Sequence, residues 1–275
     1  MQSTRPIGIF DSGLGGLTVF KSIAEKLPGY DYIYFGDNSR APYGNRSFNT
    51  IHQYTWECVQ WLFGQGCPLI ILACNTASAK ALRTIQQRDM LNGYANKRVL
   101  GVIRPTAEVI GDYSQSGEIG VLGTKGTVQS GSYAIEINKF FPDVKVYQQA
   151  CPLWVPLIEN GEYNKPGAEY YIKLYLDQIL AQSSSIDTLL LACTHYPLLQ
   201  DRIKAYLPEN IQVVAQGDIV ANSLVDYLKR HSEMESNITQ NGVKRFFTTT
   251  DDTQEFDQHA SLFFSAPVKS EYVAI

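Results

Sequence analysis

The chain contains no run of about 18 apolar residues, the length needed to cross a bilayer as a helix. Its first residues, MQSTRPIGIFDSG, lack the apolar core of a secretory signal. The expectation is a cytoplasmic protein without a membrane partner. Charge of one sign is also missing, since 23 Lys and Arg stand against 27 Asp and Glu, a formal net charge of −4. Without a basic run, nucleic acid is not an expected partner. Cysteine is scarce and odd in number: Cys58, Cys67, Cys74, Cys151 and Cys193, with no CxxC pair. That argues against a disulfide framework and for reduced thiols. Histidine is scarcer still (52, 195, 231 and 259), and only His195 has a cysteine close by in sequence. With no HExxH and no paired CxxC, no metal site is expected. No GxSxG occurs, which argues against a serine hydrolase. The glycine-rich DSGLGGLTV places Thr18 where the third glycine of GxGxxG belongs, and GxxxxGK[ST] is absent. Its glycines still let backbone N–H groups approach a small carboxylate.

What is present is a folded chain of 275 residues, 44% hydrophobic and 18% charged. Short apolar, β-branched runs alternate with longer helical patterns. Strands are expected at Ile7–Phe10, Tyr32–Phe35, Leu69–Ala73, Val99–Ile103, Ile119–Leu122, Lys145–Gln148, Thr188–Ala192 and Val213–Ala215. Helices are expected at Leu17–Leu27, Asn49–Phe63 and Gly167–Leu180 between them, and loops at Asp37–Arg46 and His231–Gly242. A helix over Asp251–Phe264 lies between strand-like Arg245–Thr249 and Glu271–Ala274. Uninterrupted apolar strands such as PLIILA and TLLLA read as buried on both faces, the mark of parallel sheet covered by helices. The fold class is therefore α/β.

The chain carries an internal repeat. LIILACNTA (Leu69–Ala77) matches TLLLACTHY (Thr188–Tyr196), and IGIFDSG (Ile7–Gly13) matches IGVLGTK (Ile119–Lys125). The spacing from Ile7 to Cys74 is close to that from Ile119 to Cys193. Two pseudo-symmetric lobes follow, each a mostly parallel sheet flanked by helices, each lending one cysteine to an inter-lobe cleft.

Open α/β sheets bind ligands beyond the carboxyl ends of their strands. Polar clusters sit at such ends here: Asp11-Ser12-Gly13, Asp37-Asn38 with Pro42-Tyr43-Gly44, Cys74-Asn75-Thr76, Gly123-Thr124 and Cys193-Thr194-His195. Cys74 and Cys193 each end an apolar strand and precede residues able to start a helix, whose dipole and free N–H groups favour a thiolate. Either cysteine alone reads equally well as a small buried hydrophobe; the matched pair does not. Cys58, Cys67 and Cys151 lack such flanks and read as structural. His195 is placed to assist proton transfer at Cys193. Asp11 is a strand-end carboxylate, costly unless paired or functional, or else a turn former. Inverting a stereocentre needs an acid on one face and a base on the other, and two facing thiols supply both near neutral pH. A cysteine nucleophile paired with His195 remains open, as does a noncatalytic amino-acid-binding module.

Together, DSGLGGLTV, YFGDNSRAPYG, ACNTASA, VLGTKGTV, CPLWVPLIENGE and LLLACTHYPLL resemble the glutamate racemases of the aspartate/glutamate racemase superfamily. They occur in the family's order from Ile7 to about Ala221. The resemblance implies a first lobe of 1–98 plus 216–275 and a second of 99–215. It implies racemisation of glutamate without pyridoxal phosphate or metal, supplying D-glutamate for peptidoglycan, and it allows a homodimer. An aspartate-specific relative remains an alternative. Carried onto matching positions, Cys74 and Cys193 are the acid and base, Asp11 assists Cys74, His195 assists Cys193, and Glu159 is a further acidic group. Ser12, Pro42, Tyr43, Gly44, Asn75, Thr76, Thr124 and Thr194, with Asp11 and His195, match the substrate-contacting motifs. Lys80 and Lys125 lie near these motifs as solvated helix residues or neighbours of the substrate's charge. One segment departs: GVIRPTAEVI has Arg104 and Thr106 where the family usually has Glu and Gly, in the region between the lobes.

Overall fold

The computed structural model describes residues 5–91, 93–242 and 245–275; residues 1–4 of the N-terminal segment read above lie outside them. Among the described residues the strands are β1 (Ile7–Asp11), β2 (Tyr32–Gly36), β3 (Leu69–Leu72), β4 (Arg98–Gly101), β5 (Glu118–Gly123), β6 (Lys145–Ala150), β7 (Thr188–Ala192), β8 (Gln212–Val214), β9 (Arg245–Thr249) and β10 (Ser270–Tyr272). They form a six-stranded sheet in the order β10-β9-β2-β1-β3-β4 and a four-stranded sheet in the order β6-β5-β7-β8. Every pairing is parallel.

The internal repeat is visible in this topology. The run β2-β1-β3-β4 has the same order as β6-β5-β7-β8, so β1 corresponds to β5 and β3 to β7. In both units the first strand sits between the second and third. Chain connections therefore leave it in opposite directions, and a crevice opens at the strands' carboxyl ends.

Side chains alternate across each sheet as the two-residue period of a strand requires. Ile7 and Ile9, Tyr32 and Tyr34, and Leu69 and Ile71 enter one core, while Phe10, Ile33 and Phe35, and Ile70 and Leu72 enter another. In the second sheet Leu122, Leu189 and Leu191 join the first of these cores, and Ile119, Val121 and Leu190 form a third. Helices cover both faces because their apolar positions recur every three to four residues. Leu17–Lys26 buries Leu17, Phe20, Ile23 and Ala24. The helix Gly217–Arg230 packs against it through Val220, Ala221, Leu224 and Leu228. Among the described residues no helix is long and apolar enough to cross a membrane.

Three expectations change. The strand expected at Val99–Ile103 stops at Gly101, and Ile103–Ala107 is a helix. Pro105 falls within its first turn, where a missing N–H costs nothing. β4 pairs with β3, so it belongs to the six-stranded sheet although a lobe boundary at residue 99 would place it in the other. The stretch His231–Gly242 is more than a polar loop. It holds the short helix Ser232–Glu235, and Met234 and Ile238 are buried in the core, where apolar burial outweighs the polar composition around them.

Candidate active site

Cys74 lies two residues beyond β3 and Cys193 immediately beyond β7, the two corresponding strands. Both line one cavity. Ser12, Pro42, Tyr43, Gly44, Asn75 and Thr76 line it from the half that carries Cys74. Thr124, Glu159, Thr194 and His195 line it from the half that carries Cys193. Among the residues read from the sequence, Asp11 stands apart. It is fully buried behind the wall, its Oδ2 accepting from the Gly13 N–H at 3.0 Å and its Oδ1 from the Thr194 hydroxyl at 3.4 Å. Burial pushes the Asp11 carboxyl above its usual value; His195, the backbone N–H groups of Gly16 and Gly13, and Thr194 pull it back in part.

Cys74 is the N-cap of the helix Asn75–Lys80, and its sulfur accepts from the Ala77 N–H at 3.5 Å. The Ser12 hydroxyl lies 3.4 Å from the same sulfur. The helix terminus expected to favour a thiolate is therefore present, but it does not prevail. Burial, and next the negative Asp11, push the Cys74 thiol up to about 12, against the opposing bonds from Ser12 and Ala77. The upward shift favours the protonated thiol at Cys74 near neutral pH.

Cys193 differs from the expectation of a helix cap. Its carbonyl accepts from the Tyr196 N–H, but the short helix Tyr196–Leu199 starts beyond it, and the sulfur instead faces His195 Nδ1 at 4.0 Å. His195 Nε2 lies 2.9 Å from Glu159 Oε1. Burial would lower the His195 pKa. The bonds to Cys193 and Glu159 and their charges outweigh it, raising His195 to about 10. A raised value favours the fold most below the unfolded value near 6.5, and that contribution is lost as pH rises towards 10. The ring nitrogens should thus both carry protons at pH 8, read by nitrogen-15 NMR of the imidazole. Glu159→Gln should shift the titration downwards; a His195 titrating near 6.5 in wild type would contradict the pairing.

Other members hold the walls. The Tyr43 hydroxyl donates to Asp37 Oδ2 at 2.5 Å, so it is already engaged away from the cavity. Gly44 abuts the other half: a Cβ there would lie 3.0 Å from Thr124 Cβ. Thr76 and Thr124 join hydroxyls at 2.9 Å, one from each half, and Thr124 also caps its own helix through the Thr127 N–H. Gly15 makes a tight contact with the other half. A Cβ there would stand 2.4 Å from both His195 Nδ1 and Thr194 Oγ1. Thr18 adds a bond from its hydroxyl to the Thr194 carbonyl at 2.9 Å.

Sequence reasoning set Cys151 aside as structural, yet it lines the cavity beside Pro152, Val155 and Pro156. It follows the carboxyl end of β6, the rule that singled out Cys74 and applied equally here. Burial pushes its thiol, and those of Cys58 and Cys67, upwards. Lys125 is exposed and lines the cavity, whereas Lys80 donates to the Arg46 carbonyl at 3.2 Å and is not part of the lining. Among the described residues no group of three or more His, Cys, Asp or Glu is placed to hold a metal ion.

The Asp/Glu/Hydantoin racemase family matches residues 7–224. A glutamate racemase from Sulfurihydrogenibium sp. is 39% identical over 98% of this chain and 97% of its own length. The crystal structure of a glutamate racemase isoform from Bacillus anthracis superposes with a TM-score of 0.90 at 32% identity, covering 100% of this chain and 99% of that one. The glutamate racemase of Francisella tularensis, solved in complex with D-glutamate, gives 0.86 at 32% identity, covering 99% and 98%. The two matched parallel sheets, the paired strand-end cysteines and this full-length similarity place the chain in the glutamate racemase family of isomerases, within the wider Asp/Glu/hydantoin racemases.

Proposed function

We propose that this chain interconverts L- and D-glutamate by proton transfer at the α-carbon, with Cys74 and Cys193 as acid and base on opposite faces. The observation that carries the reading is the presence of the two thiols on corresponding strands, lining one cavity. A bound amino acid has its α-hydrogen towards one sulfur. That sulfur removes the proton as the other delivers one to the opposite face, and the reverse reaction exchanges the roles. Cys74, its thiol pushed up by burial and Asp11, is suited to start as the acid. Cys193 works on the opposite face, with His195 beside its sulfur and Glu159 holding the imidazole. Asp11, behind the wall, tunes the Cys74 side. Ser12, the Pro42–Tyr43–Gly44 turn, Asn75, Thr76, Thr124 and Thr194 are the substrate contacts, and a site largely closed to water stabilises the carbanion-like transition state through fixed dipoles. The reaction needs neither metal nor pyridoxal phosphate. Its product serves peptidoglycan assembly. The two lobes meet at crossings after Gly101 and near Gln216.

A second reading has one observation in its favour: Cys193, His195 and Glu159 form the chain that a cysteine nucleophile uses. It leaves Cys74 without a role. Chiral chromatography of L- and D-glutamate and of both aspartates, incubated without added cofactor, separates these readings. Racemisation of glutamate, with aspartate slower by at least about tenfold, supports the proposal. Preferential turnover of aspartate would transfer it to the shorter substrate, and a covalent adduct on Cys193 in the mass spectrum would favour the nucleophile.

A further inference from the structure

Behind Asn75 lies a closed ring of hydrogen bonds built from residues that neither motif nor spacing singled out for catalysis. The Asn75 Nδ2 donates to Gln216 Oε1 at 2.8 Å. Gln216 Nε2 donates to the Tyr133 hydroxyl at 2.6 Å, and that hydroxyl donates to Asn75 Oδ1 at 2.5 Å. Gln216 Nε2 also donates to Thr106 Oγ1 at 2.8 Å, and Thr106 passes its own proton to the Val102 carbonyl at 2.8 Å. All four side chains are buried, none more than 3% exposed.

The sense of this ring follows from donor and acceptor chemistry. A backbone carbonyl only accepts, so the Thr106 hydroxyl must donate to Val102 and must itself accept from Gln216. The amide nitrogen of Gln216 is then fixed towards Thr106, and both its protons are used, on Thr106 and Tyr133. Its oxygen is left for Asn75. Asn75 can meet that oxygen only with Nδ2, which leaves one unspent proton on Nδ2 in a residue that lines the cavity. Gln216 Nε2 also reaches the Val102 carbonyl, at 3.4 Å; without the Thr106 hydroxyl only that longer contact favours this orientation, and the ring is freed to run in reverse with Asn75 turned over.

We propose that Thr106 and Gln216 are positioning residues that orient the Asn75 amide as a hydrogen-bond donor to a carboxylate of the bound amino acid. The proposal rests on the racemase reading for the identity of that substrate. Thr106 lies on the first crossing between the sheets and Gln216 on the second, so the ring also ties the site to both connections. Thr106's neighbour Arg104 is exposed and paired with Glu108 at 2.9 Å.

The test uses Thr106→Val, which keeps the shape and removes the hydroxyl, and Thr106→Ser, which restores it. Thr106→Val should raise KM for glutamate about tenfold, the value of one hydrogen bond to a charged group, with kcat changed less than about threefold. Thr106→Ser should behave as wild type. In nitrogen-15 NMR of wild type, one Asn75 amide proton should be protected from exchange and the other should shift when glutamate is added; the protection should vanish in Thr106→Val. Unchanged KM in a folded Thr106→Val, or Asn75 protons that do not respond to glutamate in an active enzyme, would overturn the proposal. A wild-type chain inert towards glutamate would sink the racemase reading alone, and the protection of the Asn75 proton and its loss in Thr106→Val would then decide the ring.

Discussion

Cys74→Ser and Cys193→Ser each reduce racemisation of glutamate by about a thousandfold or more, within the range that a positioned acid or base contributes, and each does so from both enantiomers. The symmetry of the loss is the informative part. Inversion in either direction uses one sulfur to remove a proton and the other to deliver one, so neither direction can dispense with either thiol. Serine keeps the size of the side chain but is far too weak an acid to exchange protons near neutral pH. Both sites are buried, 5% exposed at Cys74 and 6% at Cys193, with established partners in Ser12, Ala77 and His195 that a hydroxyl also accommodates. The variants should therefore fold, as an unchanged circular dichroism spectrum and melting temperature would verify. A loss confined to Cys193→Ser, with Cys74→Ser retaining activity, would instead mark a one-cysteine enzyme. Cys151→Ser serves as the comparison. Its sulfur lines the same cavity, but it donates only weakly, to the Gln149 carbonyl at 3.7 Å, and the expected loss is less than about tenfold.

Gly15→Ala is the second large effect, about a hundredfold loss of kcat/KM from a residue with no reactive group. The added methyl would fall 2.4 Å from His195 Nδ1 and from Thr194 Oγ1, and 2.6 Å from His195 Cε1. The imidazole has little room to retreat. Its other nitrogen is held by Glu159, and the Phe263 ring stands edge-on at 5.4 Å. The accommodation has to come from His195 or from the Gly15 turn itself, and either moves Cys193's partner by the order of an ångström. Displacements of that size at a reacting centre cost about two orders of magnitude. The measurement is kcat/KM against pH. The rate should fall together with a shift in the profile, as His195 loses its fixed contact with Cys193. A Gly15→Ala enzyme with wild-type rate and profile would show that the close approach of the two halves here carries no catalytic weight.

How far the sequence speaks for itself depends on the range of the interactions involved. Thr188–Ala192 was readable to the residue because a β-branched threonine followed by four buried apolar side chains admits little else. β1 was short by one residue: Asp11 is polar, yet its backbone still pairs with Gly36. Ile103 was misread because β-branched residues suggest strand, while Pro105 two positions later marked a helix's first turn. The two cysteines were legible because strand-end position is a local property, and the repeat doubled the signal. The same rule reached Asp11 but could not tell that the Gly13–Gly16 turn folds over it. Gln216 and Tyr133 were beyond reach. They meet Asn75 across sequence separations of 141 and 58 residues, and nothing in their neighbourhoods distinguishes a ring member from an ordinary buried side chain.

The central claim, two thiols acting on opposite faces of one carbon, is tested most directly by the fate of the α-hydrogen. L-Glutamate is incubated with the enzyme in deuterium oxide, the reaction is stopped at low conversion, and each enantiomer is separated and weighed by mass spectrometry. The D-glutamate formed should carry deuterium from the first turnovers while the recovered L-glutamate remains protiated, because the proton is removed by one group and a solvent-derived one delivered by another. Product that retains the substrate's hydrogen, or recovered substrate labelled as fast as product, would mean a single base serving both faces and would contradict it.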